Sequence, residues 1–326
     1  MSALHTEFGD QAPYHKPVVM AFIGDDDPRR GDSRGAVGVA KAAASMLQAE
    51  YVYLDAAMLK REFPFTFYFN SKSSIGYEQA VRRYLKRKGV PDIVIGTNAN
   101  DIRLPGVQSP LLIESRYNEE YSKARSSLGA YGLSCHDLDR NALDVAAAEF
   151  REHYPNIKTP LIGVHVTLDA ALGTVSDQLA KMVSHYPEAT VFICEGRNVR
   201  MSENYKSLLP DCIRQRCGAA VDVIEVSYEQ SQADYNPYLG LIGAADQHVV
   251  LGTSQSVLSE VLVAGKMVFT DYGHSPYIAK SGLTRMFKDM GYGALPDISV
   301  DAPDVTRAVA RDIVSEYKRR LMRSPA

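Results

Sequence analysis

The chain has little cysteine: Cys135, Cys194, Cys212 and Cys217 are scattered over 326 residues. A disulfide framework needs dense, paired cysteines, so that scaffold class is excluded. Cys212 and Cys217 have no matching His/Cys pair beside them, which argues against a zinc site. A reduced, cytoplasmic protein is the plain expectation. A basic excess is missing too. Lys+Arg 36 against Asp+Glu 39 leaves a net charge of −3, whereas a nucleic-acid binder shows a positive surplus, so no nucleic-acid partner is expected. Long apolar runs are absent. Val18–Ile23 and Val249–Leu251 fall far short of the roughly 20 residues a bilayer requires. Met1 to Lys16 are polar, hold no signal-peptide core and read as a tail. No first-strand loop contains Gly-x-Gly-x-x-Gly, which places a dinucleotide oxidoreductase behind every other reading.

What is present is an ordinary globular balance, 45% hydrophobic and 23% charged, in a chain long enough for two domains. Short β-branched runs alternate with helical patterns. Val18–Ile23, Tyr51–Leu54, Pro91–Ile95, Pro110–Ile113 and Tyr131–Cys135 read as strands, with helices from Arg34 and over Tyr77–Lys88. After a Pro/Asn-rich stretch, His153–Pro160, the pattern restarts. Strands are expected at Pro160–Val166, Thr190–Cys194, Asp222–Val226 and Gln247–Leu251, and a last helix from about Pro303 to Met322. Such alternation specifies α/β structure with mostly parallel sheets. The expectation is two Rossmann-like doubly wound domains facing a central cleft, residues 1–155 and 156–326. Pro91–Asn98 parallels Asp246–Ser254, each an apolar strand opening at Gly-Thr and a small polar residue, so both halves look like versions of one design. Ligands of doubly wound sheets bind beyond the carboxyl ends of strands, which puts Asn98 and Ser254 at ligand edges.

The segment Tyr235–Lys266 carries the strongest chemistry. Gly252, Thr253, Ser254, Gln255 and Ser256 open a helix, where backbone N–H groups and the dipole suit a phosphate and small side chains allow close approach. Glu260 follows one turn later, placed to accept hydrogen bonds from a ribose diol. The structural alternative is an N-cap by Thr253 or Ser254 with a solvated Glu260. Phe63, Phe65, Phe67 and Phe69 recur at period two, which reads as an extended segment covering the first sheet or as an apolar contact surface. Basic runs at 82–88 and 318–323 are solvated helix faces or a peripheral contact with anionic lipid.

Asn236-Pro237-Tyr238, Ala245-Asp246, Ser254-Gln255-Ser256, Ser259-Glu260 and Gly265-Lys266 together resemble a family of GT-B-type glycosyltransferases related to a plant mitochondrial fission factor. Thr253 stands where that family has Asp, and Met267 where it has Pro. Weaker matches are Asp32-Ser33-Arg34-Gly35, His136-Asp137, Ile162-Gly163 and Arg197. The resemblance implies a GT-B-like fold and transfer of a sugar from a nucleotide-diphosphate sugar to a hydroxyl on an unknown acceptor (a glycan, a lipid-linked species or a small molecule). It implies no required cofactor and no metal. The donor would sit on Arg197, Asn236, Gly252, Thr253, Ser254, Gln255, Ser256, Ser259 and Glu260. The acceptor side would include Arg34, Gly35 and Asn98.

Sugar transfer passes through an oxocarbenium-like state while negative charge grows on the leaving diphosphate. Helix N-termini and arginine absorb such charge, and the acceptor hydroxyl needs a base. Asp25, Asp32 and Asp137 qualify by loop position, although loop aspartates also serve as turn and cap residues. Asp25-Asp26-Asp27 could also gather a divalent cation, a lesser alternative. His165, near a strand end, either faces the cleft or sits satisfied in the core. Two rival functions share these residues: a nucleotide-sugar epimerase on the same scaffold, and a non-catalytic scaffold or organelle-dynamics factor.

Overall fold

A computed structural model describes residues 16–23, 31–69, 74–96, 111–114, 133–167, 172–196, 208–273, 276–289, 294 and 297–323. Its first sheet joins β1 (Val18–Ile23), β2 (Glu50–Asp55), β3 (Ile93–Gly96) and β4 (Leu111–Glu114) in the order β2-β1-β3-β4. All its pairings are parallel. Helix α1 (Gly31–Leu47) follows β1 and packs on the sheet, and α2 (Ala56–Glu62), α3 (Pro64–Phe69) and α4 (Ser74–Lys88) follow β2. The second sheet is six-stranded and wholly parallel. It contains β5 (Leu161–Val166), β6 (Thr190–Glu195), β7 (Asp222–Val226), β8 (Gln247–Leu251), β9 (Val268–Thr270) and β10 (Thr284–Met286), in the order β10-β9-β8-β5-β6-β7. Its helices are α5 (Arg140–His153), α6 (Leu172–Val183), α7 (Leu208–Cys217), α8 (Tyr228–Ala233), α9 (Tyr238–Ala244), α10 (Gln255–Leu262), α11 (Pro276–Ser281) and α12 (Val305–Arg323). Every residue of β5, β6 and β8 is buried, as expected of strands covered on both faces.

The two halves repeat a device. Asp92, just before β3, accepts the Val18 N–H through Oδ2 at 2.8 Å, while its own N–H donates to Val18 O. Asp246, just before β8, does the same to Leu161, again at 2.8 Å. Each aspartate thus satisfies the first donor of the neighbouring central strand.

Two stretches differ from the sequence expectation. The phenylalanine run is helical: Phe63 ends α2 and Pro64 opens α3, the first-turn position where a missing N–H costs nothing. Phe65 is 76% exposed. Of the strand expected at Tyr131–Cys135, the described residues 133–135 pair with no sheet, nor does His136 after them. Their donors go to side chains instead, Ser134 N–H to Ser259 Oγ at 2.8 Å and His136 N–H to Thr306 Oγ1 at 3.0 Å.

Helix α5 packs along α9. Gly240 and Gly243 make that approach possible. A Cβ on Gly240 would lie 2.5 Å from Phe150 Cβ, and one on Gly243 would overlap the Leu143 carbonyl oxygen. Phe150 buries among Leu161, Phe192 and Leu241 of the second sheet's core. At the chain's far end, α12 returns to pack on α1, and its Val309, Ile313 and Tyr317 share one apolar cluster with Val19, Ile93, Val250 and Leu258. Tyr317 OH donates to Asp92 Oδ1 at 3.2 Å. Among the described residues no helix is long and apolar enough to cross a membrane.

Candidate functional site

A cavity of about 610 Å³ opens where the two halves meet. The first half contributes Arg34 from α1 and Asp137 from the loop before α5. The second contributes His165 to Thr167 from β5, Cys194 to Gly196 from β6, Asn236 and Tyr238 at the start of α9, and Ser256, Val257 and Glu260 from α10. Its volume suits a small-molecule ligand, and its position is the carboxyl edge of the second sheet's central strands.

Glycine sets the first wall. A Cβ on Gly35 would lie 2.9 Å from Cys135 O, and one on Gly38 would overlap the His136 carbonyl. Without side chains there, α1 lies directly against 135–137, and Arg34 meets Asp137, Nε to Oδ1 at 2.9 Å. Arg34 Nη1 also lies 3.4 Å from Glu260 Oε1, and Tyr238 OH donates to Glu260 Oε2 at 2.6 Å. One carboxylate from α10 is therefore held by α1 and α9 together.

Glu260 is 4% exposed. Burial raises its carboxyl above the ordinary range and the Asp137 charge adds to this, while Arg34 and the Tyr238 hydroxyl pull it back. Arg34 nearer the rim responds the other way. Burial opposes its charge, but Glu260 and Asp137 outweigh that and hold the proton more firmly. The Tyr238 phenol is raised well above its usual value, by burial first and by Glu260 next. His165 and His248 are stacked with ring centroids 5.9 Å apart, and both are buried. Burial drives each imidazole down to about 3, with His248 contributing for His165 and the Lys266 and Arg140 charges for His248. Among the described residues, neither ring nitrogen of either histidine has a hydrogen-bond partner.

The Gly252–Ser256 turn is partly satisfied from within. Gly252, at φ +98, donates its N–H to Asp271 Oδ1 at 2.7 Å. Ser254 caps α10 by accepting the Val257 N–H, and its own N–H reaches Thr167 Oγ1 at 3.3 Å. Of the expected donor residues, Asn236, Ser256 and Glu260 line the cavity. Asn236 Oδ1 accepts the Tyr238 N–H at 3.1 Å and starts α9. Ser259 faces elsewhere: it donates to Gln255 O, accepts from Ser134, and lines a second cavity of about 580 Å³ with Lys41, His136, Asp304 and Thr306. Gln255 is the first residue of α10, and Thr253 lies in the turn before it. Asp137 is the expected base that the cavity wall contains. Asp25, Asn98, Arg197 and the side chain of Asp32 lie outside the described residues. Sequence reasoning passed over Tyr238 as a site residue; its place in the Asn-Pro-Tyr match was the available signal. Nothing in the sequence flagged His248 or Thr167. Among the described residues no group of three or more His, Cys, Asp or Glu is arranged to hold a metal ion.

No protein-family model matches the chain, and no curated protein matches it. Solved structures do. The chain is similar to UDP-GlcNAc 2-epimerase from Neisseria meningitidis, with a TM-score of 0.50 at 12% identity over 94% of this chain and 92% of that one. It also aligns with a glycosyltransferase from Rickettsia africae, at a TM-score of 0.43 and 10% identity over 95% and 94% of the two chains. Acinetobacter baumannii MurG follows at 0.41 and 15%, over 93% and 95%. At such identity the likeness to the epimerase speaks for the fold alone: with its parallel sheets, the chain is an α/β protein of two Rossmann-like halves about a cleft, the GT-B-like architecture.

Proposed function

We propose that the chain is a glycosyltransferase that moves a sugar from a nucleotide-diphosphate sugar to an acceptor hydroxyl. One observation carries the reading: Glu260 and the first turn of α10 line the same cavity as Arg34 and Asp137 from the other half. Residues 156–326 would hold the donor and residues 1–155 the acceptor. The match of Asn236–Lys266 to the fission-factor-related family, and the UDP-sugar named for the Neisseria epimerase, support the same choice of ligand.

In this reading the ribose diol takes the Glu260 carboxylate, displacing Arg34 toward the diphosphate, where its charge serves the leaving group. The diphosphate lies at Gly252, Thr253, Ser254, Gln255 and Ser256, with Arg197 as a second cation. Asn236 fixes the entry of α9, and Ser259 holds α10 to the 133–136 segment. Asp137 is the expected base among the carboxylates that line the cavity and takes the acceptor's proton. Gly35 keeps the wall thin, and Asp32, Asp25 and Asn98 are assigned to the same side from their sequence positions alone. No step needs a cofactor or metal. The exposed basic end of α12, with Leu321 at 57% and Met322 at 77% exposure, supports a peripheral contact with a membrane carrying the acceptor.

A second reading has its own observation. The described cavity wall holds Asp137, Glu149, Glu195 and Glu260 against one arginine, Arg34. That abundance of carboxylates suits proton abstraction and return on the sugar itself, an epimerase reaction.

Titration calorimetry with uridine and guanosine diphosphates and their hexose-linked forms tests the donor site. The wild type binds one nucleotide series, and Glu260→Gln weakens it at least tenfold. Absence of any nucleotide binding, or unchanged affinity in the variant, rejects the assignment. Incubation with the bound nucleotide sugar alone separates the two chemistries, because only an epimerase converts it without acceptor.

A further inference from the structure

His165 lies on the cavity wall, 1% exposed, with both ring nitrogens buried and without a hydrogen-bond partner among the described residues. A buried polar group without a partner is costly and calls for an explanation. The surroundings supply none. Across the sheet its register partners are Cys194 on β6 and Val250 on β8. Above it, the Tyr238 ring stands edge-on at 5.7 Å, but the hydroxyl of Tyr238 is committed to Glu260. Thr167, two residues on and on the same face of the strand, donates its hydroxyl to Leu251 O. His248 stacks behind and lacks partners itself. Among the described residues no polar group reaches either ring nitrogen, and the imidazole lies on the cavity wall.

We propose that His165 hydrogen-bonds the transferred sugar, as a positioning and specificity residue for the hydroxyl-bearing end of the ligand. The inference rests on the donor-site reading above and names what the His165 wall of that site recognises. Chemistry favours a hydroxyl over a phosphate. An imidazole that stays neutral carries one N–H donor and one acceptor nitrogen, matching a hydroxyl that both donates and accepts. A diphosphate carries acceptors only, so it would satisfy the ring N–H and leave the acceptor nitrogen unpaired unless the ring were protonated, which burial and the neighbouring His248 oppose. Geometry agrees. The Ser254 N–H meets Thr167, so the α10 turn sits at the mouth of β5. His165 lies two residues deeper, about 6.6 Å along the strand.

The test compares full-length wild type with His165→Phe and His165→Gln, using the nucleoside diphosphate that binds and its hexose-linked form. Phe keeps a ring against Tyr238 and His248; Gln restores a donor and an acceptor. In His165→Phe, affinity for the nucleoside diphosphate stays within twofold while affinity for the nucleotide sugar falls about tenfold. His165→Gln recovers at least a third of the lost sugar affinity. The ligand-free Phe variant melts no lower than wild type, because an unpartnered polar group has been removed. Equal weakening of both ligands, or of neither, overturns the assignment, and so does a ligand-free melting temperature that drops with sugar preference intact. Wild-type protein that binds no nucleotide at all defeats the donor-site reading first, and the proposal falls with it.

Discussion

At the scale of single residues, the site was half legible. Glu260 announces itself by following a capped helix start, Asp137 by its loop position and Arg34 by its place in the family resemblance, but the sequence does not say that they meet. Arg34 and Asp137 are 103 residues apart, and their pairing depends on Gly35 and Gly38 letting a loop slide under α1. Tyr238 was visible only as part of a pattern, because its role needs a carboxylate from another helix. The histidines were the least readable, since His165 and His248 draw their character from complete burial. That burial makes a testable pH dependence. Both imidazoles titrate near 3 in the fold against an ordinary 6.5. Between those limits the unfolded chain binds protons that the folded chain refuses, so stability rises with pH there and is lost as pH falls below 6.5. Each histidine contributes up to about 1.4 kcal/mol per pH unit to that slope. His248→Leu removes one of them away from the cavity wall. Urea midpoints measured from pH 4 to 6.5 therefore show a flatter acid limb in the variant than in wild type. Parallel limbs would mean that His248 titrates normally.

Elements were read more securely than their contents. Strands with continuous apolar runs, β1, β5, β6 and β8, fall within a residue of expectation, because burial on both faces leaves no other use for such runs. The failures share a cause. A period-two pattern over 62–69 suggested extension, yet Pro64 sits comfortably at a helix start and tertiary packing decided the rest. The 133–136 stretch has strand-like composition, but serine and threonine side chains from α10 and α12 claim its backbone. The repeat of Gly-Thr strand ends aligns the halves, whereas the equivalent aspartates, Asp92 and Asp246, stand four and six residues before their glycines. The even difference preserves which face each residue presents. Helix α9 gives the sharpest prediction at this scale. It is seven residues long and holds Tyr238 by lying flush on α5 through Gly240 and Gly243. In Gly243→Ala the added methyl forces the helices apart, which costs about 1–3 kcal/mol despite the better helix propensity of alanine. Chemical denaturation measures that loss. The same displacement lowers nucleotide affinity in a residue that never touches the cavity. An alanine variant as stable as wild type would show that the helix pair can yield without harm.

For the whole molecule, length and alternation suggested two domains, while packing shows how closely they are joined. One apolar cluster contains Val19, Ala36 and Ile93 of the first half, Val250, Leu258 and Val268 of the second, and six side chains of α12. Thr306, at the start of α12, both accepts the His136 N–H and donates to the His136 carbonyl. The helix thus belongs by sequence to one half and by burial to both. Its Val305, Val309, Ala310, Ile313, Val314 and Tyr317 are each under 10% exposed. Burial of a large apolar side chain stabilises by about 1.5–3 kcal/mol, so together they rival the 5–15 kcal/mol that holds a typical domain folded. The second sheet has a separate cluster, including Ile162, Val164, Leu179, Val191, Ile193 and Leu209, that contains no α12 residue. A chain ending at residue 303 is therefore expected to lose the first half and keep the second. Hydrogen exchange would show amides of β1, β2 and β3 unprotected while those of β5, β6 and β7 remain slow. The full chain, with its shared core, should unfold in one urea transition, seen alike by circular dichroism and by the fluorescence of its 19 tyrosines, undisturbed by any tryptophan. If β1 to β3 stay protected without residues 304–326, the helix only decorates a first half that stands alone. The shared cluster would then be an interface between two independent domains, and the cleft between them would be free to open by rigid-body motion.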